Sequence, residues 1–429
     1  MLRTILRREH KNRWERRAAL VPESIAQLAA QKIPVAVEPC SIRAFPDEAY
    51  KAQGAELHND LENFQLVLGI KEPPVASIAP QQVHLCFSHT IKGQPYNMGL
   101  LQKFIDQRAT LIDYEPIVDE RGVRTIAFGR FAGIAGAIDS FFVLGQKWLK
   151  MGKPTAYARI KQTKDYPSLS EIKSELAQLR VTNDKPLHVL IVGTGNVGKG
   201  AKEVCQWLGL PEVAIDEVLA QKAPKSSWFS VASARHLHER IGGGAFDYQE
   251  YLQLGKAQYR SIFDRLLGQF ELLIQTPYWT DKYPAHLDIA RMNENMQALP
   301  LVVGDISCDV NGSLKCTKKI STIDEPAYSY FVENDGIQDG IHADGISVMA
   351  IDNLPCELPV DASRHFSAIL TRYVPELVKM DLNQTLTHSG LGKELQRAVI
   401  VYNGTVMPEF TYLQHYLDRH KLTKPSEAS

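Results

Sequence analysis

Gly193, Gly195 and Gly198 fall in the segment LHVLIVGTGNVGKGAKEVCQWLG, directly after a short apolar run and directly before a helical one. In such a place the first glycine permits a tight turn, the second lets backbone approach a pyrophosphate, and the third lets helix pack on strand. The free N–H groups of the helix then face the phosphates. The spacing alone is weak. A buried-type strand, Leu187 to Val192, and a helix ending near Gly209 strengthen it into a dinucleotide cradle completed by Thr194, Asn196 and Val197. Thr276 and Tyr278, after the apolar run ELLIQT, and Asp305, at the end of another, would stand at neighbouring strand ends near a nicotinamide.

The choice between NAD and NADP stays open. Asp216, 18 residues after Gly198, could bind a ribose 2′-hydroxyl, whereas Arg235, His236, Lys222 and Lys225 could receive a 2′-phosphate. Asp305, Asp309 and Asn311 offer three oxygens, but their spacing fits no Ca²⁺ loop, and no metal is expected.

Two further residues suit proton transfer. Lys71 follows LVLGI and His89 follows VHLCFS, so both should emerge at the carboxyl edge of a sheet, where open α/β sheets bind ligands. Alone, a lysine or histidine after a strand reads as a solvated polar residue. An imidazole titrates near neutrality, and a lysine can be brought there by burial.

The elements needed to position these groups are visible. From Thr4 to Tyr114, β-type runs (Thr4 to Leu6, Val35 to Glu38, Leu66 to Ile70, Val83 to Phe87, Thr110 to Tyr114) alternate with helical spacing. A long apolar helix is expected from about Ala132 to Met151. Ser168, with Glu171 at capping-box spacing, opens a helix ending near Arg180. A second series has strands at Leu187 to Val192, Val213 to Ile215, Glu271 to Thr276 and Leu301 to Ile306, with a polar excursion from Val218 to Gly244. After Pro359 helices are expected to run to about His420, followed by a fraying tail, TKPSEAS. The reading is α/β, two Rossmann-like doubly wound domains with an intervening cleft. The first domain comprises residues 1–139 and 341–429, and the second residues 140–340.

The 429 residues exceed one ordinary core, and a formal net charge of −1 favours neither nucleic acid nor anionic lipid. Six cysteines without a CxxC pair indicate neither zinc nor a disulfide framework. Glu9 and Glu15 interrupt the basic N-terminus, which has no signal-type apolar region, and no run suits a spanning helix. A cytoplasmic protein that does not enter the membrane is therefore expected.

Several blocks, in order along the chain, carry a family likeness: ERRAALVPE, LGIKEPP, FSHTIKGQPYNMGLL, LIDYE, RGVRTIAFGRFAGIAG, GTGNVGKGA, GDISCDVNGS and MAIDNLPCELP. They resemble the lysine-ketoglutarate reductase and saccharopine dehydrogenase family, most closely the reductase half of bifunctional aminoadipic semialdehyde synthases. More distantly they resemble alanine dehydrogenase and transhydrogenase. The resemblance implies a stand-alone reductase, compatible with a monomer, which joins lysine to 2-oxoglutarate through an imine reduced by NAD(P)H to give saccharopine. It makes Lys71 the group that exchanges a proton with the substrate amine and His89 the second proton carrier. Arg17 and Arg124 become carboxylate clamps, Lys92 and Asp352 an ion pair, and Glu72 and Glu115 field-setting carboxylates. Two alternatives remain: the same enzyme class acting on alanine and pyruvate, and a regulatory nucleotide-binding module without catalysis.

Overall fold

The computed structural model describes residues 1–179 and 185–423. It divides into two compact units, Met1–Phe128 with Pro359–Ser429, and Gly129–Leu358. The expected helix end near Arg180 and most of the expected tail lie outside the described residues.

In the first unit, strands β1 (Thr4–Leu6), β2 (Val35–Val37), β3 (Leu66–Leu68), β4 (Val83–Cys86) and β5 (Thr110–Asp113) pair in parallel in the order β2-β1-β3-β4-β5. Every residue of these strands is buried, because helices cover both faces of a parallel sheet. On one face Leu6, Leu68, Leu85 and Ile112 join Leu20, Ile25 and Phe366 in a single core. The winding reverses between β1 and β3, so their carboxyl ends open a crevice.

The second unit repeats the pattern. Its strands are β6 (His188–Val192), β7 (Trp228–Ala232), β8 (His238–Arg240), β9 (Tyr259–Ser261), β10 (Leu272–Gln275), β11 (Val302–Asp305), β12 (Tyr328–Phe331), β13 (Gly336–Asp339) and β14 (Ile346–Met349). The main sheet runs β13-β12-β14-β11-β10-β6-β7, and β8 pairs antiparallel with β9 in a separate ribbon. Here the reversal lies between β6 and β10. The last two strands, β15 (Val399–Tyr402) and β16 (Thr405–Val406), extend the first sheet beyond β5, antiparallel.

Three local expectations are corrected. No strand spans Val213 to Ile215: Val213 N–H donates to the Phe229 carbonyl and Phe229 N–H to the Pro211 carbonyl, a single bridge, after which Asp216 and Glu217 open a short helix, Ile215–Leu219. First-turn acids suit a helix N-terminus. The second strand of this fold is β7, inside the stretch expected to be a polar excursion. The segment after Pro359 is not helical throughout, since β15 and β16 interrupt it.

The long helix spans Gly129–Lys150 and lies wholly in the second unit, so the expected division at residues 139/140 falls inside it; the units part at 128/129 and 358/359. Its glycines set its packing. A Cβ at Gly133 would strike the Val197 carbonyl, so the helix can approach Asn196–Trp207 backbone to backbone. Ser168 caps the helix Leu169–Gln178 as expected, accepting from Glu171 N–H at 3.3 Å.

Candidate functional site

In the second unit, Gly193 leaves β6 at φ +105°, a conformation that side-chain-bearing residues rarely adopt. A Cβ at Gly198 would collide with the Gly193 carbonyl, whereas one at Gly195 would meet nothing within 4 Å. The loop is therefore closed beneath and open above, as a phosphate cradle must be. The helix Asn196–Trp207 starts there with no side chain capping its amides. A cavity of about 890 Å³ lies over the loop, lined by Gly193, Thr194, Gly195, Asn196, Val197, Thr276 and Tyr278. Thr276 Oγ1 donates to the Val192 carbonyl at 2.6 Å and so ties β10 to β6 under the loop. Tyr278 is 80% exposed.

Asp305 is buried and inward-turned: its carboxylate accepts from Ser307 Oγ and Thr317 Oγ1, each at 2.7 Å. Burial pushes its pKa up against those hydrogen bonds. It anchors the turn after β11 and is not among the cavity-lining residues.

The end of β7 carries Ser233, Ala234 and Arg235, all on the cavity. Asp216, exposed on its short helix, does not occupy the strand end where an acid would meet a ribose. The Arg235 Nε lies 2.8 Å from His236 Nε2, while His236 Nδ1 faces the Ser233 backbone N–H and hydroxyl. Burial and then Arg235 push His236 below its ordinary pKa, with Asp216 opposing. Among the described residues Arg235 makes no ion pair with a carboxylate. Ser233, His238 and His286 also line the cavity and were not anticipated; the signal lay in the run SARHLHER once β7 is placed before it.

In the first unit, parallel strands bring the proton-transfer candidates to one edge. Lys71 and Glu72 follow β3, His89 follows β4, and Glu115 follows β5. Lys71 is held through its backbone: Glu9 accepts from its N–H at 3.0 Å, and buried Arg7 donates to its carbonyl. Glu72 bridges a lysine and a histidine, with Oε1 2.7 Å from Lys11 Nζ and Oε2 3.6 Å from His89 Nδ1. Burial resists its ionisation, but His89 and Lys11 outweigh this and hold the carboxyl well below the usual range. His89 adopts φ +54°, strained for a non-glycine residue. Buried Asp113 secures that turn, accepting from Ser88 N–H and Oγ at 2.8 and 2.5 Å.

The expected carboxylate clamps differ from one another. Arg17 is buried, and the Nε and Nη2 edge of its fork meets Glu15 at 2.7 and 2.6 Å over the Phe128 ring. Arg124 is exposed, held by the Glu115 carbonyl at 3.2 Å and carboxylate at 3.5 Å. Lys92 is exposed at the end of the His89 turn; Asp352, also exposed, belongs to the second unit. Lys11 was missed because its partner Glu72, 61 residues on, comes into reach only when β1 and β3 are neighbours, and the pairing of Glu15 with Arg17 was missed although the two lie two residues apart.

Family models for the alanine dehydrogenase/PNT N-terminal and C-terminal domains match residues 5–135 and 174–409. The chain belongs to the alanine dehydrogenase/PNT family. A cattle protein named alpha-aminoadipic semialdehyde synthase, mitochondrial, is 32% identical over 95% of this chain and 47% of its own length. An Arabidopsis thaliana protein of the same enzyme name is 32% identical over 98% of this chain and 42% of its own length. The chain thus spans about half the length of these curated relatives. A saccharopine dehydrogenase [NAD(+), L-lysine-forming] of Emericella nidulans is 26% identical, covering 85% of this chain and 89% of that one. These relatives bear the names to which the sequence blocks pointed. Among solved structures, an L-alanine dehydrogenase superposes with TM-score 0.63 at 17% identity, covering 96% of this chain and 99% of its own, and shows the shared fold. No helix among the described residues is long and apolar enough to cross a membrane.

Proposed function

We propose that this member of the alanine dehydrogenase/PNT family is an NAD(P)-dependent oxidoreductase of CH–NH donors. In this reading it interconverts L-lysine, 2-oxoglutarate and NAD(P)H with saccharopine and NAD(P)⁺. The observation that carries the reading is the bridge from Lys11 through Glu72 to His89, set beside Lys71 at the switch point of its sheet. Proton carriers on a charged, partly buried edge are what imine formation between an amine and a ketone requires. The names of the relatives support this substrate pair.

Lys71 takes the proton of the substrate ε-ammonium, and the free amine adds to the ketone of 2-oxoglutarate. His89, its Nδ1 side turned to Glu72, passes protons during carbinolamine formation and loss of water. Arg124 offers an exposed guanidinium to a substrate carboxylate, with Glu115 orienting it. Arg17 acts from beneath as a buried pair with Glu15, and Lys92 adds positive charge at the end of the turn. When bound over Gly193–Val197, the dinucleotide supplies hydride to the imine carbon. A strand end with Ser233 and Arg235 in place of an acid favours NADP over NAD.

Four assays test the proposal: oxidation of NADH or NADPH with lysine plus 2-oxoglutarate, and reduction of NAD or NADP with saccharopine. Turnover in at least one is expected. Activity in none, with alanine and pyruvate converted instead, would overturn the substrate assignment and leave the family intact.

A further inference from the structure

The turn that carries His89 is bent to the left-handed side at both ends. His89 stands at φ +54° and Gly93 at φ +63°, and Thr90–Lys92 form a single 3-10 turn between them. Such a backbone persists only where its surroundings fix it. The near end is fixed from the sheet: Asp113 holds Ser88, whose hydroxyl lies 2.8 Å from Thr90 Oγ1. The far end is fixed from a distant part of the chain. The Tyr412 hydroxyl donates to the Ile91 carbonyl at 2.8 Å across 321 residues. Pro95, four residues after Ile91, has no N–H with which to continue a helical bond to that carbonyl. Tyr416 lies one helical turn beyond Tyr412, on the helix Leu413–Thr423, and its ring covers Gly93 so closely that a Cβ there would come within 2.6 Å of it. Behind the turn, Leu413 and Leu417 share a buried cluster with Met98 and Leu101, and Ile91 and Tyr416 pack against it. Asn97, on the helix Pro95–Asp106, donates to the His89 carbonyl at 3.4 Å.

Resting on the proton-transfer role given to His89 above, we propose that Tyr412 and Tyr416 are positioning residues that hold the His89 turn in its working shape. They act on the backbone of the turn, at Ile91 and Gly93, and through it on the imidazole. The 3.6 Å approach of His89 Nδ1 to Glu72 depends on His89 keeping its left-handed φ. Asp113 secures only the residues that enter the turn. With the exit released, the backbone can relax toward ordinary φ and carry the ring away from Glu72. Tyr412 is 48% exposed and spends its hydroxyl on one backbone carbonyl of this turn, a use that core packing does not explain.

Reaction of His89 with diethyl pyrocarbonate, followed peptide by peptide by mass spectrometry, tests the brace without requiring turnover. The His89 side chain is 24% exposed, so a released turn should react faster. In Tyr412→Phe the His89 rate should rise at least about threefold, the worth of one neutral hydrogen bond, while exposed His388 reacts as in the wild type. Tyr416→Ala should act in the same direction, and Tyr416→Phe, which keeps the ring on Gly93, should lie closer to the wild type. Unchanged His89 reactivity in Tyr412→Phe would overturn the brace, whatever happens to Tyr416→Ala. Steady-state kinetics then test the catalytic consequence: Tyr412→Phe should lower kcat about fivefold with dinucleotide affinity and Tm unchanged. Full kcat in that variant, or a loss of kcat that only tracks a fall in Tm, would overturn the positioning role. A wild type inactive in all four assays would overturn the proposed function, and the His89 reaction rates would still decide the brace.

Discussion

Two sheets wound in the same order solve two binding problems by opposite means. In the first unit the crevice is built from charged side chains in pairs: Lys11 with Glu72, Glu72 with His89, Glu15 with Arg17, Glu115 with Arg124. In the second unit it is built from backbone and rings, with glycines, uncapped helix amides and a wall of tyrosines, and its buried histidines held neutral. Charged side chains can move protons and grip carboxylates, and titration easily disturbs them. Backbone and aromatic surfaces hold a large ligand without titrating near neutrality. The shared winding supplies only the crevice; the residues at its rim decide what it does.

If that contrast is correct, the units fail differently. Lys71→Met should lower turnover by roughly 10²- to 10⁴-fold while cofactor affinity stays within about twofold, measured by steady-state kinetics and calorimetry. Loss of cofactor binding in that variant would erase the distinction. Gly198→Ala should do the reverse, weakening cofactor binding at least about tenfold and destabilising the protein by ~1–3 kcal/mol, because the new Cβ meets the Gly193 carbonyl. Denaturant titration reads the second effect.

Arg235→Gln should reduce the ratio of kcat/KM for the phosphorylated over the unphosphorylated cofactor by about tenfold, the worth of one charge-assisted contact. An unchanged ratio would move 2′-phosphate recognition to Lys222 or Lys225.

The smallest effect concerns pH. Burial pushes His238 down to about 4. Between that value and the unfolded pKa near 6.5 the unfolded chain binds more protons, so stability rises with pH across this window and falls as the solution is acidified through it. His238→Gln should flatten the fall of Tm between pH 6.5 and 4.5. Glu72 is pushed downward as well, but from the 4.5 of an ordinary carboxyl, so its contribution is lost mainly below about pH 5 and Glu72→Gln should leave the slope between pH 6.5 and 5.5 unchanged.

Legibility in the sequence followed the same divide. The glycine loop was readable because backbone geometry demands particular residues at fixed spacing. Strands such as Val83–Cys86 and the Ser168 cap were readable because local pattern decides them. By contrast Trp228–Ala232 escaped notice: five residues between polar flanks carry less signal than the β-branched Val213 and Ile215, of which Val213 only donates to the Phe229 carbonyl and Ile215 begins a helix. Val399–Tyr402 was absorbed into an expected helical tail, although its β-branched run VIVY pairs with β5 across about two thirds of the sequence. In the first unit Lys71 and His89 were placed at strand ends by pattern and given roles by resemblance. That Lys11 would reach Glu72 depends on strand adjacency that no spacing encodes, and that Glu15 would occupy the edge of the Arg17 fork depends on the turn after β1 burying both side chains together.

The helix Gly129–Lys150 bears on how this protein could be engineered. Replacing helical glycines with alanine is a routine route to a more heat-resistant protein, worth about 1 kcal/mol per site. Here that recipe should backfire, because Gly133 faces the Val197 carbonyl, Gly136 the Ile306 side chain and Gly145 the Tyr157 carbonyl. A thermostability library should leave these three positions untouched.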